Sequence, residues 1–363
     1  MISISLCMII KNEEKVIARC LESVKTFADE IILIDTGSTD QTLDIIKKYT
    51  NQIYHYKWVD HFAEARNYSF SKATKDYIFW MDADDFILPG DLEKLQHLKK
   101  ILTPNIDSVQ MRYVLSRDHK GRATSSLMRN RLVKRSKHFQ WIGAVHEYLD
   151  VFGNVLQSDI CLIHENEERS LSDRNLKIYE KLLNEHVVFS PRDIYYYANE
   201  NYEHGLFERA FTYYRNFIDS KMGWVEDYMG AFEKGTDALI QLSRLEEAEK
   251  FAYESFIYDT PRAPICCKLG YLFFIKNEID KAIYWYKAAV NTDLDRIKNT
   301  GTFVNYAYYT WIPHLHLCVC YDRKGLYYLA YYHNEMARIY QPENQQVLHN
   351  KKYFENLFAQ KNT

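Results

Sequence analysis

The sequence reads as an α/β domain with a mainly parallel sheet, followed by an all-α array of helical repeats. Short β-branched runs alternate with amphipathic stretches as far as Asp85, the pattern of βαβ units. An alanine recurs in the second half at Ala210, Ala248, Ala282 and Ala330, spaced 38, 34 and 48 residues apart. Tyrosine usage shifts as well: seven of the thirty precede residue 166, so the two parts differ in composition as in pattern. A length of 363 residues, 47% of them apolar, is enough to fill two cores. The division expected is residues 1–170 for the α/β domain, 171–189 for a connecting helix, and 190–363 for the repeats.

Taken in order, Ile2–Ile10 predicts a strand. Glu13–Lys25 predicts a helix with Val16, Ile17, Cys20, Leu21 and Val24 on one face. Glu30–Asp35 is a second strand, closed by Gly37, and Thr39 or Asp40 can cap a helix over Gln41–Tyr49. Ile53–Trp58 is a third strand, a helix follows near Ala63–Lys72, and Asp76–Met81 is a fourth strand ending in Asp82-Ala83-Asp84-Asp85. Short β-like stretches follow near Ser108–Ser116, Arg131–Lys134 and Gln157–His164.

In the repeats, each alanine anchor falls in the second helix of a helix pair. Small residues stand twelve before the anchors, at Ala198, Thr236, Gly270 and Cys318. Gly205 and Gly325 lie five before theirs, at the turn between helices. Pro342 lies twelve after Ala330, where a second helix would stop. One pair cannot bury its own apolar face, whereas stacked pairs can, leaving a concave surface. Aromatic groups such as Tyr195-Tyr196-Tyr197 at helical spacing read mainly as core between the stacked helices.

Composition excludes some functions. A net charge of −3 gives no bulk attraction to nucleic acid or to an anionic membrane. An anionic ligand must therefore be held by local charges or a metal. Seven cysteines without a framework spacing read as free buried thiols in a reducing cytoplasm. The start MISISLCMIIKNEE has no basic leader, and no stretch reaches the roughly 18 uncharged apolar residues of a membrane span.

The chemistry concentrates where strands end. Asp82 and Asp84 close an apolar strand, at the edge where open α/β sheets bind ligands. Two carboxylates there repel unless a hard divalent cation neutralises them, and such a cation can also take diphosphate oxygens; the bland alternative is a solvated acidic turn. Asp35, after five apolar residues and before a glycine turn, suits hydrogen bonding to a base or ribose, or else caps the next helix. In Ala65-Arg66-Asn67, an arginine near a helix start can clamp a diphosphate, or make a surface ion pair with Glu64. In WIGAVHEYLD, Glu147 and then His146 are candidates for a general base, against a capping or buried structural pair. Trp141 could stack on a sugar or pack in a core. His164, ending ICLIHEN, reads as a metal ligand or a core histidine.

Together SLCMIIKNEEKVIARCLESV, IILIDTGSTDQT, ARNYS and MDADD resemble glycosyltransferase family 2, the inverting transferases of GT-A fold, closely over residues 4 to 90 and loosely to about 185. The resemblance implies a UDP-sugar donor and manganese or magnesium. It places Asp35 on uracil or ribose, Lys11 in the base pocket, Arg66 on the diphosphate, Asp82 on the ribose and Asp84 on the metal. Glu147 would be the base, with His146 second, because a subgroup carries this Gly-x-Val-His-Glu pattern. That subgroup also has a late histidine, matched by His164, then a Gly-Tyr pair and a Lys/Arg-x-x-Arg-Asn helix. Here Glu165-Asn166 replaces the Gly-Tyr pair, and Ser172-Asp173-Arg174-Asn175 restores part of the helix pattern.

The second part resembles degenerate tetratricopeptide repeats, whose period is about 34 residues. A transferase with such repeats is similar to bacterial peptide and protein glycosyltransferases, including those that S-glycosylate bacteriocins. The expected reaction moves a hexose to a Ser/Thr hydroxyl or Cys thiol of a peptide or protein. A thiolate would need less help from a base. The repeats could hold the acceptor or form a homodimer. Alternatives are a cell-surface or lipopolysaccharide saccharide acceptor, and a non-catalytic repeat scaffold.

Overall fold

The computed structural model describes residues 1–118, 120–165, 172–298 and 304–361. Asn166 and the expected boundary at 170/171 lie outside them. Met1–His186 with Gly301–Val304 form one compact unit; Val187–Thr300 with Asn305–Thr363 form the other.

The first unit is built on strands β1 (Ile4–Ile10), β2 (Glu30–Asp35), β3 (Ile53–His55) and β4 (Tyr77–Trp80). β1 pairs in parallel with both β2 and β4, and β2 pairs in parallel with β3. All four carboxyl ends therefore reach one edge of the sheet. The path continues through β7 (Ala123–Lys134), β6 (Ser108–Arg117), β10 (Val155–His164) and the two-residue β5 (Asp85–Phe86). β6 and β10 are parallel, whereas β7 runs antiparallel to β4 and β6, and β5 antiparallel to β10.

Alternate side chains of β1 face opposite layers. Ile4, Leu6 and Met8 pack with Ile17, Leu21 and Val24 of α1 (Ile17–Val24), and with Leu95 and Leu98 of α4 (Pro89–Ile101). Between these helices in sequence come α2 (Thr42–Ile46) and α3 (Phe62–Ser71). On the other face, Cys7, Ile32, Ile34 and Trp80 pack with Ala63 of α3 and with Trp141 and Leu149. Those last two belong to a hairpin of β8 (Trp141–Ile142) and β9 (Tyr148–Leu149). Helix α5 (Arg174–Asn184) belongs to this unit too. Lys181 pairs with Asp60 at 2.7 Å, and Arg174 lies over the Phe62 ring.

The second unit is helical. Its pairs are α6 (Pro191–Glu203) with α7 (Phe207–Ser220), α8 (Val225–Gln241) with α9 (Leu245–Glu254), and α10 (Ala263–Ile275) with α11 (Ile279–Val290). After a short α12 (Leu294–Lys298) come α13 (Trp311–Arg323) with α14 (Tyr327–Tyr340), and finally α15 (Gln345–Lys361). Ser190 and Asp193 form a reciprocal capping box at the start of α6. Ala210, Ala248, Ala282 and Ala330 sit on α7, α9, α11 and α14, all fully buried. Gly270 faces Tyr286 so closely that a Cβ there would stand 2.7 Å from the ring.

Each pair turns through one left-handed residue five before its anchor: Gly205, Ser243, Asn277 and Gly325, with φ of 72°, 59°, 61° and 71°. The next N–H then reaches back to the helix, from Leu206, Arg244, Glu278 and Leu326 to the carbonyls of Asn201, Leu239, Phe273 and Tyr321, each at 2.9 Å. This is the Schellman closure of a helix end. Six cysteines are buried and all seven are free thiols; burial pushes Cys7 up to about 12. Among the described residues no helix is long and apolar enough to cross a membrane.

Candidate active site

The carboxyl edge of the parallel strands collects the expected residues. Register opposes Ile10 to Asp35 and Asp35 to His55, and β4 leads into Asp82. Lys11 is exposed, one residue past β1. Its neighbour Asn12 accepts from the Thr39 N–H at 2.8 Å, lacing the β1 and β2 loops together. The buried Asp35 carboxylate accepts the N–H groups of Gly37 at 3.2 Å and Ser38 at 3.0 Å, and lies 3.2 Å from His55 Nδ1. It builds its own turn. The helix behind is held instead by Asp40, which accepts from Thr42 N at 3.0 Å.

Helix α3 and the hairpin are joined at three points. The first N–H of α3, from Phe62, donates to Ala144 O at 2.8 Å. Asn67 donates to Trp141 O at 3.0 Å and accepts from Trp141 N at 2.8 Å. Arg66, next door, donates from Nε to Glu147 Oε1 at 2.5 Å and from Nη2 to Asp82 Oδ1 at 2.7 Å. Its guanidinium lies 4.8 Å from the Trp141 ring centre and 5.2 Å from that of Trp80. Glu64 pairs with Tyr56 rather than with Arg66. Burial works against the charge of Arg66, but Asp82 and Glu147 outweigh it and raise its pKa. For Asp82, burial raises the pKa, yet Arg66 and Arg131 lower it to about 2. Three residues expected to act together thus form one chain, Glu147–Arg66–Asp82. His146 precedes Glu147 at the hairpin tip with a φ of 50°. Trp141 is buried against Trp80 and Phe70, so it packs in a core.

A second cluster adjoins the first. The antiparallel register sets His164 opposite Asp85. His164 Nδ1 lies 3.4 Å from both Asp84 Oδ1 and Asp85 Oδ1. Burial lowers its pKa, but the two carboxylates overcome this and raise it to about 10. Asp84, Asp85 and His164 each offer a ligand atom within 4.8 Å of the others. Two carboxylates and an imidazole at that spacing fit a divalent cation.

Sequence reasoning assigned no role to Asp85, Tyr113, Arg131 or Asn67. Asp85 is the fourth residue of a motif read at its first and third. Tyr113 and Arg131 lie on β6 and β7, far along the chain and without a local signal. Tyr113 donates to Asp85 Oδ1 at 2.8 Å, and the fully buried Arg131 pairs with Asp85 Oδ2 at 3.1 Å. A groove of about 530 Å³ between α4 and β10, lined by Lys94, His97 and Asp159 among others, shares none of the residues of either cluster.

Residues 5–152 match the family described as Glycosyl transferase family 2. This segment is a family 2 glycosyltransferase domain. The chain is 28% identical over 226 residues to the SPbeta prophage-derived glycosyltransferase SunS of Bacillus subtilis, an alignment covering 59% of this chain and 52% of that protein. It therefore spans about half the length of SunS. It is 25% identical over 316 residues to a TPR repeat-containing protein of Synechococcus elongatus, covering 84% of this chain and 70% of that one. A fainter likeness joins it to a solved structure of glucosyl-3-phosphoglycerate synthase from Mycobacterium tuberculosis in complex with Mn2+ and UDP-glucose. There the identity is 15% and the TM-score 0.38, over 52% of this chain and 81% of that one. The glycosyltransferase domain thus includes Asp35, Arg66, Asp82, Asp84 and Glu147, while His164 lies beyond the matched residues.

Proposed function

We propose that the glycosyltransferase domain moves a hexose from a UDP-sugar to a peptide or protein acceptor with inversion, and that it depends on a divalent cation, manganese or magnesium. The observation that carries this is the pair of adjoining clusters at one sheet edge, Glu147–Arg66–Asp82 and Asp84–His164. Glu147 is the base: Arg66 engages Oε1 and turns the carboxylate, leaving Oε2 to accept the acceptor's proton. Asp35 and Lys11, at neighbouring strand ends, line the nucleotide pocket, and Asp82 faces the ribose. Arg66 adds its positive charge beside the diphosphate. A cation on Asp84 and His164 would neutralise the charge that builds on the nucleoside diphosphate as the glycosidic bond breaks.

The peptide acceptor is supported by the helical repeats, which we assign to residues 190–363 as the acceptor-holding part behind a transferase of residues 1–170 and a connecting stretch of 171–189. The test is transfer from labelled UDP-hexoses, with manganese, to peptide and saccharide acceptors in parallel. Label on peptide supports the reading. Label on saccharide alone overturns the acceptor, and neither transfer nor donor hydrolysis with any UDP-sugar overturns the activity.

A further inference from the structure

Three residues offer ligand atoms to a cation, but they are not equivalent. Asp84 and His164 keep 13% and 19% of their side chains exposed, and Asp85 keeps none. Both Asp85 oxygens are also engaged. Oδ1 accepts from the Tyr113 hydroxyl at 2.8 Å and faces His164 Nδ1 at 3.4 Å. Oδ2 pairs with Arg131 at 3.1 Å and accepts from the Asp82 N–H at 3.1 Å. Arg131 is fully buried, its guanidinium 3.9 Å from the Trp80 ring centre and 4.3 Å from that of Tyr113. The Tyr113 oxygen in turn lies 3.0 Å from His164 Nδ1.

We propose that Arg131, Asp85 and Tyr113 form a buried support that positions the Asp82–Asp84 turn and the His164 ring for a cation, with Asp85 acting as a positioning residue and not as a ligand. The inference rests on the cation-dependent reading above. Through its backbone contact Asp85 fixes the turn. Through Tyr113 it fixes the imidazole, two elements that approach from opposite strand directions. Groups that orient ligands from behind commonly change metal affinity by about 10–100-fold when removed.

Asp85→Asn takes from the buried Arg131 the carboxylate it pairs with and could fail to fold. The decisive variant is therefore Tyr113→Phe, which removes one oxygen. Calorimetric titration of Mn2+ into the full chain with saturating UDP should show affinity weakened about 10–100-fold in Tyr113→Phe. Its circular dichroism should match the wild type and its melting temperature in EDTA should fall by only the few degrees that one lost buried hydrogen bond costs; a larger fall marks general loosening and overturns the support role. Asp84→Ala should lose Mn2+ binding altogether. Wild-type affinity in Tyr113→Phe, with binding lost in Asp84→Ala, overturns the support role and leaves the cation reading standing. No Mn2+ binding in the wild type overturns both.

Discussion

Arg66 donates to Glu147 at 2.5 Å, and this ion pair links helix α3 to the hairpin tip across 81 residues of chain. The same guanidinium holds Asp82. If Glu147 is the base, Glu147→Gln keeps the shape and the contact with Arg66 but removes the proton acceptor. Transfer should fall about 10²–10⁴-fold in kcat, with UDP affinity within twofold of wild type. Steady-state kinetics beside calorimetry check this. An unchanged kcat would remove Glu147 from the role.

Asn67 binds the Trp141 backbone in both directions. Asn67→Ala leaves a part-buried N–H and C=O without those partners, a cost of about 1–3 kcal/mol. It should also free the hairpin that carries Glu147. Urea unfolding should show the loss in stability, and kcat should drop more than KM rises. A stable variant with normal kcat would show that packing and the contacts of Phe62 and Arg66 hold the hairpin without Asn67.

Ser243 turns α8 into α9 at a φ of 59°, where Gly205 and Gly325 serve other repeats. A side chain in that region is strained, so Ser243→Gly should stabilise the helical unit by about 0.5–1 kcal/mol. Gly205→Ala should do the opposite. Thermal melts of the full chain test the pair.

His333 and His314 meet at 2.8 Å between α14 and α13, with Tyr321 stacked on His333. Burial, then His314, then Lys287 depress His333 to about 4. Its unfolded pKa lies near 6.5, so as pH falls the unfolded chain takes the proton first. The stability from this site is complete above about pH 6.5 and is lost as pH drops toward 4, on the order of 3 kcal/mol. Urea melts at pH 7 and pH 4.5 should show the decline, and His333→Asn should flatten it.

Much of this fold was legible because burial leaves periodic marks. Apolar runs marked β1, β2 and β4, and the face Ile17, Cys20, Leu21, Val24 marked α1. Asp35, Asp82 and Asp84 stood out because they end apolar runs, and Arg66 because it lies in the first half of a helix. Helix α4 did not stand out: it buries only Leu95 and Leu98 and opens on Pro89-Gly90, which reads as a turn. The hairpin strands are two residues each, too short for a period. Arg131 and Tyr113 were silent because their meaning comes from sheet register, which joins β6 and β7 to the β4 turn. The anchors showed the repeats, but the turns at Ser243 and Asn277 carry no glycine to mark them.

The cation-dependent donor site is tested most directly by calorimetric binding of UDP, with GDP as control, with and without Mn2+, on wild type and Asp84→Ala. UDP binding should require the metal, exceed that of GDP, and be lost in Asp84→Ala. Binding of neither nucleotide under any metal condition, or equal UDP binding by both proteins, would contradict it.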